Sequence, residues 1–461
     1  MPLLLPDGLM VSVSGFRGRV GDPLTPELVA ALAARYGAFL AGGRPGARVV
    51  VGRDSRTSGP MFARAVVAGL QSVGCSVTDL GVVPTPTVML EVERSDAVGG
   101  LCVTASHNPA EWNALKFADG PGTFLDAPRM AAFLDALAGD DPPRAEWSSV
   151  GRVRADDGAI ERHLEAVLAL DVLDVEAIRA RRLRVALDCV HGAGGPIMTA
   201  LLARLGCEVA AIGVEPDGLF PRDPEPTAAN LADLAALVRE HGADVGLAVD
   251  PDADRLSLVD DRGDPVGEDL TLALAAAVVL SRTPGPVVTN LSTSRVVEDV
   301  AAAYGAPLLR APVGEINVAT RMRAEGAVVG GEGNGGVILP ALHLTRDAPV
   351  AAALVLQHLV DHGGALSGAV ARWPSYAIVK EKVAFPREAL AAAYEALAED
   401  LAAPERDDSD GVRLAWPGER RWLHVRPSGT EPIVRLIAEA PDEAAARGLV
   451  ARARALLEGV G

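Results

Sequence analysis

The chain has 461 residues, among them 48 Gly and 33 Pro, with 49% apolar side chains but only 4% aromatics. That is too apolar for a disordered chain and enough for about three cores, at roughly 150 residues per domain, built mainly from Ala, Val and Leu. A formal charge of −18 excludes general nucleic-acid binding and a polybasic membrane anchor, so an anionic ligand binds only where basic residues gather locally.

Residues 1–10 carry no basic side chain and the first is Arg17, in the Gly-flanked stretch 14–19, so no signal peptide is expected. A buried strand is predicted over 48–54, a helix over 61–73 and a new strand from 74. The basic loop 52–58 reads as surface charge, or as Arg53 and Arg56 pairing with Asp54. An apolar run over 98–103 ends in Val-Thr-Ala-Ser-His-Asn-Pro (103–109), followed by Lys116. Residues 139–143 read as a linker. The strand–helix–strand unit recurs at 183–188, 196–205 and 206–209, and again at 286–290, 294–304 and 305–308, each helix stopping at a Gly that suits a left-handed cap. The longest apolar run, 270–280, is too short to cross a bilayer. His358 and His362 fit a helix C-terminus before Gly363 and Gly364, within a second linker at 363–368. From about 372 the pattern changes to strand (376–383), helix (387–401), polar loop (404–410), strands around Leu423 and Val434, and a terminal helix.

The fold class expected is α/β: three related α/β domains with mixed sheets plus a C-terminal α+β domain around a central cleft. The expected boundaries are 1–146, 147–252, 253–366 and 367–461. Cys75, Cys102, Cys189 and Cys207 are far apart with no C-x-x-C pair, which fits a reducing cytoplasm rather than a zinc ribbon or disulfide scaffold.

Four segments carry chemistry. Ser106 sits where an α/β sheet places its site, at a strand's carboxyl end, and is read equally as a nucleophile or as part of a Ser/Thr turn. His107, next along, is badly placed to take its proton and reads as a loop hydrogen-bonder. Asp250, Asp252 and Asp254 fall every second residue after a strand, which in an extended loop turns all three to one side. Carboxylates so grouped repel unless they share a cation, and an oxygen-only set suits Mg²⁺ or Ca²⁺. In 329–337, glycines flank Glu332 and Asn334, both able to bond sugar hydroxyl or amino groups. In 425–435, Arg426, Ser428, Gly429 and Thr430, joined by Arg435, form a phosphate cradle. Only three basic residues are lysines, Lys116, Lys380 and Lys382. Lys gives up its proton more readily than Arg, so a retained Lys116 suggests a proton that is needed.

In order and over nearly the whole chain, Thr104–Pro109 (TASHNP), Asp250–Arg255 (DPDADR) and Arg426–Pro432 (RPSGTEP) resemble the α-D-phosphohexomutase family. The resemblance implies that Ser106 carries a phosphoryl group and that Asp250, Asp252 and Asp254 hold Mg²⁺ against it. It implies that the Arg426 loop grips the substrate's other phosphate and that Glu332 and Asn334 meet the sugar. Lys116 is the expected proton acceptor, Arg17 orients the phosphoserine, and Arg255 offsets charge. A hexose 1,6-bisphosphate is both intermediate and primer, and a small-molecule sugar phosphate is the expected partner of a monomer or dimer. The sugar loop departs from many members: Asn334-Gly-Gly336 stands where they have Ser-Gly-His, leaving His343 as a possible substitute. The segment 311–318 also lacks a basic residue often found there. Both features resemble the phosphoglucosamine mutase branch, with phosphomannomutase or phosphoglucomutase as the alternative and a Mg²⁺-dependent sugar phosphatase further off.

Overall fold

A computed structural model describes residues 2–427 and 433–460. Four sheets organise the chain, and three share one plan. In the first unit, Arg48–Arg53 lies between Ser76–Val82 and Gly99–Val103, all parallel, and Trp112–Asp119 returns antiparallel beside Gly99–Val103. The second repeats this with Arg184–Asp188, Glu208–Ile212, Val245–Val249 and the antiparallel Leu256–Asp260. The third does so with Val287–Asn290, Leu308–Ala311, Val329–Glu332 and the antiparallel Gly336–Ile338. In each unit the third strand, fully buried and apolar or Gly apart from the terminal Glu332 of the third unit, ends in a short loop that reverses the chain. Those three loops are 104–111, 250–255 and 333–335, which are three of the four segments singled out for their chemistry.

The repeated helices form as expected. Gly59–Ser72, Gly194–Arg204 and Val296–Ala303 are each followed, two residues on, by Gly74, Gly206 or Gly305 with φ of 83°, 69° and 66°. A side chain with a Cβ resists that conformation, so the glycine fixes where the chain leaves the helix. The apolar run 270–280 lies in Asp269–Arg282, which packs with Ala348–His362; both helices are buried almost all round, which removes any need for an amphipathic stripe. Among the described residues no helix is long and apolar enough to cross a membrane. The helix bearing His358 and His362 ends at Gly363, φ 75°, as its sequence suggests.

The fourth unit is a five-stranded antiparallel sheet, Ala377–Ala384, Ile433–Ala440, Arg421–Pro427, Val412–Trp416 and Glu405–Asp407 in spatial order. Helices Leu390–Leu401 and Glu443–Val460 accompany it.

Sheet membership departs from the expected boundaries at three places. Val153–Ala155 pairs with Ser76–Val82, so the first sheet closes beyond 146 and the stretch 139–143 is an excursion within it. Leu256–Asp260 belongs to the second sheet, because the metal loop is the turn of a hairpin and its return strand stays with its partner. Leu366–Val370 is a short helix whose Leu366 and Ala369 join the core shared by the second and third units, so the fourth sheet begins only after it.

Candidate active site

Ser106 is 4% exposed and has φ 49°, unusual for a residue with a Cβ. The loop that holds it there is tied from below. Thr104 Oγ1 donates to Asp54 Oδ2 at 2.6 Å and accepts from Ser106 N at 2.9 Å. Arg56, 1% exposed, donates from Nε to Asp54 Oδ2, from Nη2 to the carbonyls of Ser106 and Asn108, and from Nη1 to those of Pro109 and Trp112. One guanidinium, itself buried, thus satisfies four backbone acceptors of the serine loop. The pairing with Asp54 is as the sequence suggests, but Arg56 is no surface charge. Arg17 adds a hydrogen bond from Nη1 to Asn108 Oδ1.

The aspartate loop reaches the serine from the second unit. Ser106 Oγ donates to Asp250 Oδ2 at 2.8 Å, and Arg255 Nη2 lies 3.4 Å from the same Oγ. Asp250, Asp252 and Asp254 are at most 1% exposed, with one ligand oxygen from each within 4.8 Å of the others. The loop is a turn rather than the extended segment expected: Ala253 takes φ 50°, and this bend brings the carboxylates together. Asp252 Oδ2 accepts from Lys116 Nζ and from Thr85 Oγ1, each at 2.6 Å, and Asp254 Oδ2 accepts from Arg346 Nη2 at 2.6 Å. Their Oδ1 atoms are buried without a hydrogen-bond partner. Two orphaned carboxylate oxygens beside a third carboxylate fit a hard divalent cation.

Charge is finely divided here. Burial, then Asp254 and Asp252 alongside, push the Asp250 carboxyl well above its ordinary range. Burial alone would raise Asp252 too, but the Lys116 ammonium holds it below. Burial opposes the charge on Lys116, yet Asp252 and Asp254 keep it up at about 12. In this state Lys116 is an ammonium ion, not a free base. Burial, with Arg255 and Arg17 nearby, pushes His107 down to about 2, so its imidazole is neutral.

A cavity of about 310 Å³ opens at this point. Its walls bring together Arg17, Ser106, His107 and Lys116 from the first unit, Arg255 from the second, Asn334 from the third and Arg435 from the fourth. This local gathering of cations is how a chain of −18 offers an anion a site. Glu332 stands behind the wall: Oε1 accepts from Asn290 Nδ2 and Gly314 N, and Oε2 from Arg346 Nη1. Arg426 pairs with Asp410 at 2.9 Å and faces Arg435 across the sheet. Ser428, Gly429 and Thr430 lie outside the described residues.

His343 does not reach the sugar loop as a substitute histidine. It is 1% exposed, and its Nε2 lies 2.8 Å from Asp347 Oδ2. Asp347 also meets His163 Nε2 at 2.8 Å, and His163 Nδ1 meets Thr87 Oγ1 at 2.9 Å. This buried chain joins all three α/β units away from the cavity. Arg56, Thr85, Glu315 and Arg346 are the residues that sequence reasoning missed. Arg56 and Glu315 lay within stretches already noted, 52–58 and 311–318, but neither was given this role.

A strained serine against an aspartate trio, in a cation-lined cavity at the meeting of three like α/β units and a fourth, defines an enzyme of the α-D-phosphohexomutase class, an isomerase. Comparison with known proteins agrees. Phosphoglucomutase/phosphomannomutase alpha/beta/alpha domains I, II and III match residues 9–141, 161–263 and 267–376, and the C-terminal domain matches 379–456. The chain belongs to the phosphoglucomutase/phosphomannomutase family. It is 38% identical over 446 residues to a probable phosphoglucosamine mutase of Methanopyrus kandleri, covering 96% of both chains. It is 37% identical to a phosphoglucomutase/phosphomannomutase of Thermococcus kodakarensis, covering 98% of this chain and 99% of that one. Among solved structures, a family protein from Burkholderia thailandensis superposes with a TM-score of 0.85 at 26% identity, over 98% of each chain.

Proposed function

We propose that the chain interconverts glucosamine 6-phosphate and glucosamine 1-phosphate through a phosphoserine at 106 and a hexose 1,6-bisphosphate. The observation that carries this reading is the 2.8 Å contact of Ser106 Oγ with Asp250 inside a cavity lined by Arg17, Lys116, Arg255 and Arg435. With Ser106 phosphorylated, the sugar O1 attacks phosphorus; the P–O1 bond forms, the P–Oγ bond breaks, and the hydroxyl proton passes to a base. The bisphosphate turns over in the cavity. Ser106 Oγ then takes the phosphoryl group from O6, which regenerates the phosphoserine and releases the 1-phosphate.

Arg255, already 3.4 Å from Oγ, steadies charge on the oxygen that leaves. Arg17 orients the loop through Asn108. Arg426 and Arg435, with Ser428, Gly429 and Thr430, grip the phosphate that is not being transferred, and Asn334 meets the sugar, with Glu332 behind it. Asp250, Asp252, Asp254 and the phosphoserine are the residues that would hold Mg²⁺, which would supply Lewis-acid charge neutralisation to phosphoryl transfer. Lys116 is the proposed proton acceptor, a role that requires it first to give up the proton it donates to Asp252.

The amino sugar is favoured by the relative named for glucosamine, whereas the Thermococcus relative named for neutral hexoses supports the second reading, a phosphoglucomutase/phosphomannomutase. Coupled assays with glucosamine, glucose and mannose 6-phosphates and a trace of bisphosphate decide. The expected result is a kcat/KM for glucosamine 6-phosphate at least about 10-fold above the others. A preference for a neutral sugar would install the second reading, and stoichiometric phosphate release without isomer would make the protein a phosphatase.

A further inference from the structure

Arg346 lies between strand Gly336–Ile338 and helix Ala348–His362 and contributes to the cavity wall. Its guanidinium meets three carboxylates: Asp254 Oδ2 at 2.6 Å, Glu332 Oε2 at 2.9 Å and Glu315 Oε2 at 3.1 Å. Its own backbone N–H donates to Glu315 Oε1 at 2.8 Å. With three anions around one cation, it is not free to grip a substrate phosphate. Its route into the site depends on a missing side chain, because a Cβ at Gly336 would lie 2.2 Å from Arg346 Cδ. The arginine therefore fills the space opened where the sugar loop lacks its third side chain.

The aspartate contacts show a parallel. Asp252 has Oδ2 held by Lys116 and Oδ1 without a hydrogen bond; Asp254 has Oδ2 held by Arg346 and Oδ1 without a hydrogen bond, 3.6 Å from Arg255 Nε. In each case one oxygen is fixed by a cationic side chain and the other is left for a metal, as outer partners commonly do for metal ligands. Of these two cations, Arg346 also reaches Glu332, beside a backbone hydrogen bond from Leu256 N to Gly335 O at 3.0 Å.

We infer that Arg346 is a positioning residue that yokes the divalent-cation site to the sugar loop, through Asp254 on one side and Glu332 on the other, so that cation and sugar phosphate each tighten the other's binding. The inference rests on the reading of the aspartate trio as a cation site. By linkage the effect is reciprocal, and it runs through direct contacts rather than a distant path.

The test uses the full chain, dephosphorylated, with Mn²⁺ as the probe, its affinity measured by electron paramagnetic resonance with and without saturating glucosamine 6-phosphate (or glucose 6-phosphate, if that binds more tightly). In the wild-type chain the sugar phosphate should tighten Mn²⁺ by about 5-fold or more. Arg346→Gln should bring that factor to within about twofold of one, the uncoupled value. Arg346→Lys keeps a cation beside Asp254 but lacks the fork, so it should bind Mn²⁺ and still lose the coupling. Gly336→Ala, which displaces Arg346 without altering it, should do the same and serves if Arg346→Gln does not fold. Wild-type coupling in these variants, or none in the wild-type chain, overturns the inference alone. No Mn²⁺ binding by the wild-type chain overturns the cation reading and the inference together.

Discussion

Replacing Arg56 by Lys tests how the serine loop is held. Arg56 makes five side-chain hydrogen bonds, one to Asp54 and four to carbonyls between 106 and 112. A lysine ammonium has three donors on a flexible stem and no planar fork. At least two of the five hydrogen bonds must be lost, although Asp54 Oδ2 keeps Thr104 Oγ1 and the Pro109 carbonyl keeps Trp112 N. Each hydrogen bond contributes a net of about 0.5–1.5 kcal/mol, so Arg56→Lys should lose roughly 1–3 kcal/mol from the first unit. Arg56→Ala also strands the buried Asp54 carboxylate, a loss of about 3–5 kcal/mol in its own right. A chain of several domains need not unfold in one step, so a single Tm is a poor measure. Hydrogen exchange over residues 104–112 is the better assay, and Ser106 charging by a hexose 1,6-bisphosphate is the functional one. Both should change, with faster exchange in the loop and charging down by about 100-fold, as displacement of a reacting group by about 1 Å entails. Wild-type exchange and charging in Arg56→Lys would refute the claim that this guanidinium sets the serine's position.

Lys116→Arg keeps the charge but not a removable proton; turnover should fall about 10²–10⁴-fold while the protein still binds sugar phosphate, and near-normal kcat would reduce Lys116 to an electrostatic role. Burial opposes the Asp347 charge, but His163 and His343 hold its carboxyl below the ordinary range. Its charged form therefore stabilises the fold fully above the unfolded value of about 4, and that contribution is lost as pH falls through the folded value. Hydrogen-exchange protection around residues 343–350 in Asp347→Asn should accordingly lie below wild type at pH 7, by about 1–3 kcal/mol, and converge with it in acid; a gap that persists in acid would contradict this. Chelation by EDTA should abolish turnover and added Mg²⁺ should restore it, with full activity in the chelator counting against the aspartate trio as a cation site.

Much of this fold can be read directly from the chain because its signals are local. Apolar runs that stop at a Gly or at a polar loop give the strands, and Gly74, Gly206 and Gly305 mark the helix ends. The Asp250 trio and the Ser106 loop were legible for the same reason, since each sits at the end of its own strand. The scarcity of lysine pointed to Lys116, which does face the aspartates. What stayed hidden depends on atoms arriving from another unit. Nothing near Thr85 tells that it will donate to Asp252, 167 positions away. His343 seemed free to serve the sugar loop until Asp347 and His163 claimed it. Arg346 left one trace, the bare Gly336, but an absent side chain does not say which neighbour fills its place. The second unit's end lies beyond the aspartate loop because a hairpin's return strand, Leu256–Asp260, belongs with its partner, while Val153–Ala155 joins the first sheet across a long connection that no local signal marks.

The central claim is that Ser106 accepts and returns a phosphoryl group. Intact-mass measurement after incubation with glucose 1,6-bisphosphate and Mg²⁺, followed by peptide mapping, tests it most directly. The account requires a gain of one phosphoryl group, located on Ser106, removed again by excess hexose monophosphate and absent from Ser106→Ala. An unchanged mass, or a phosphoryl group mapped to any other residue, would contradict it.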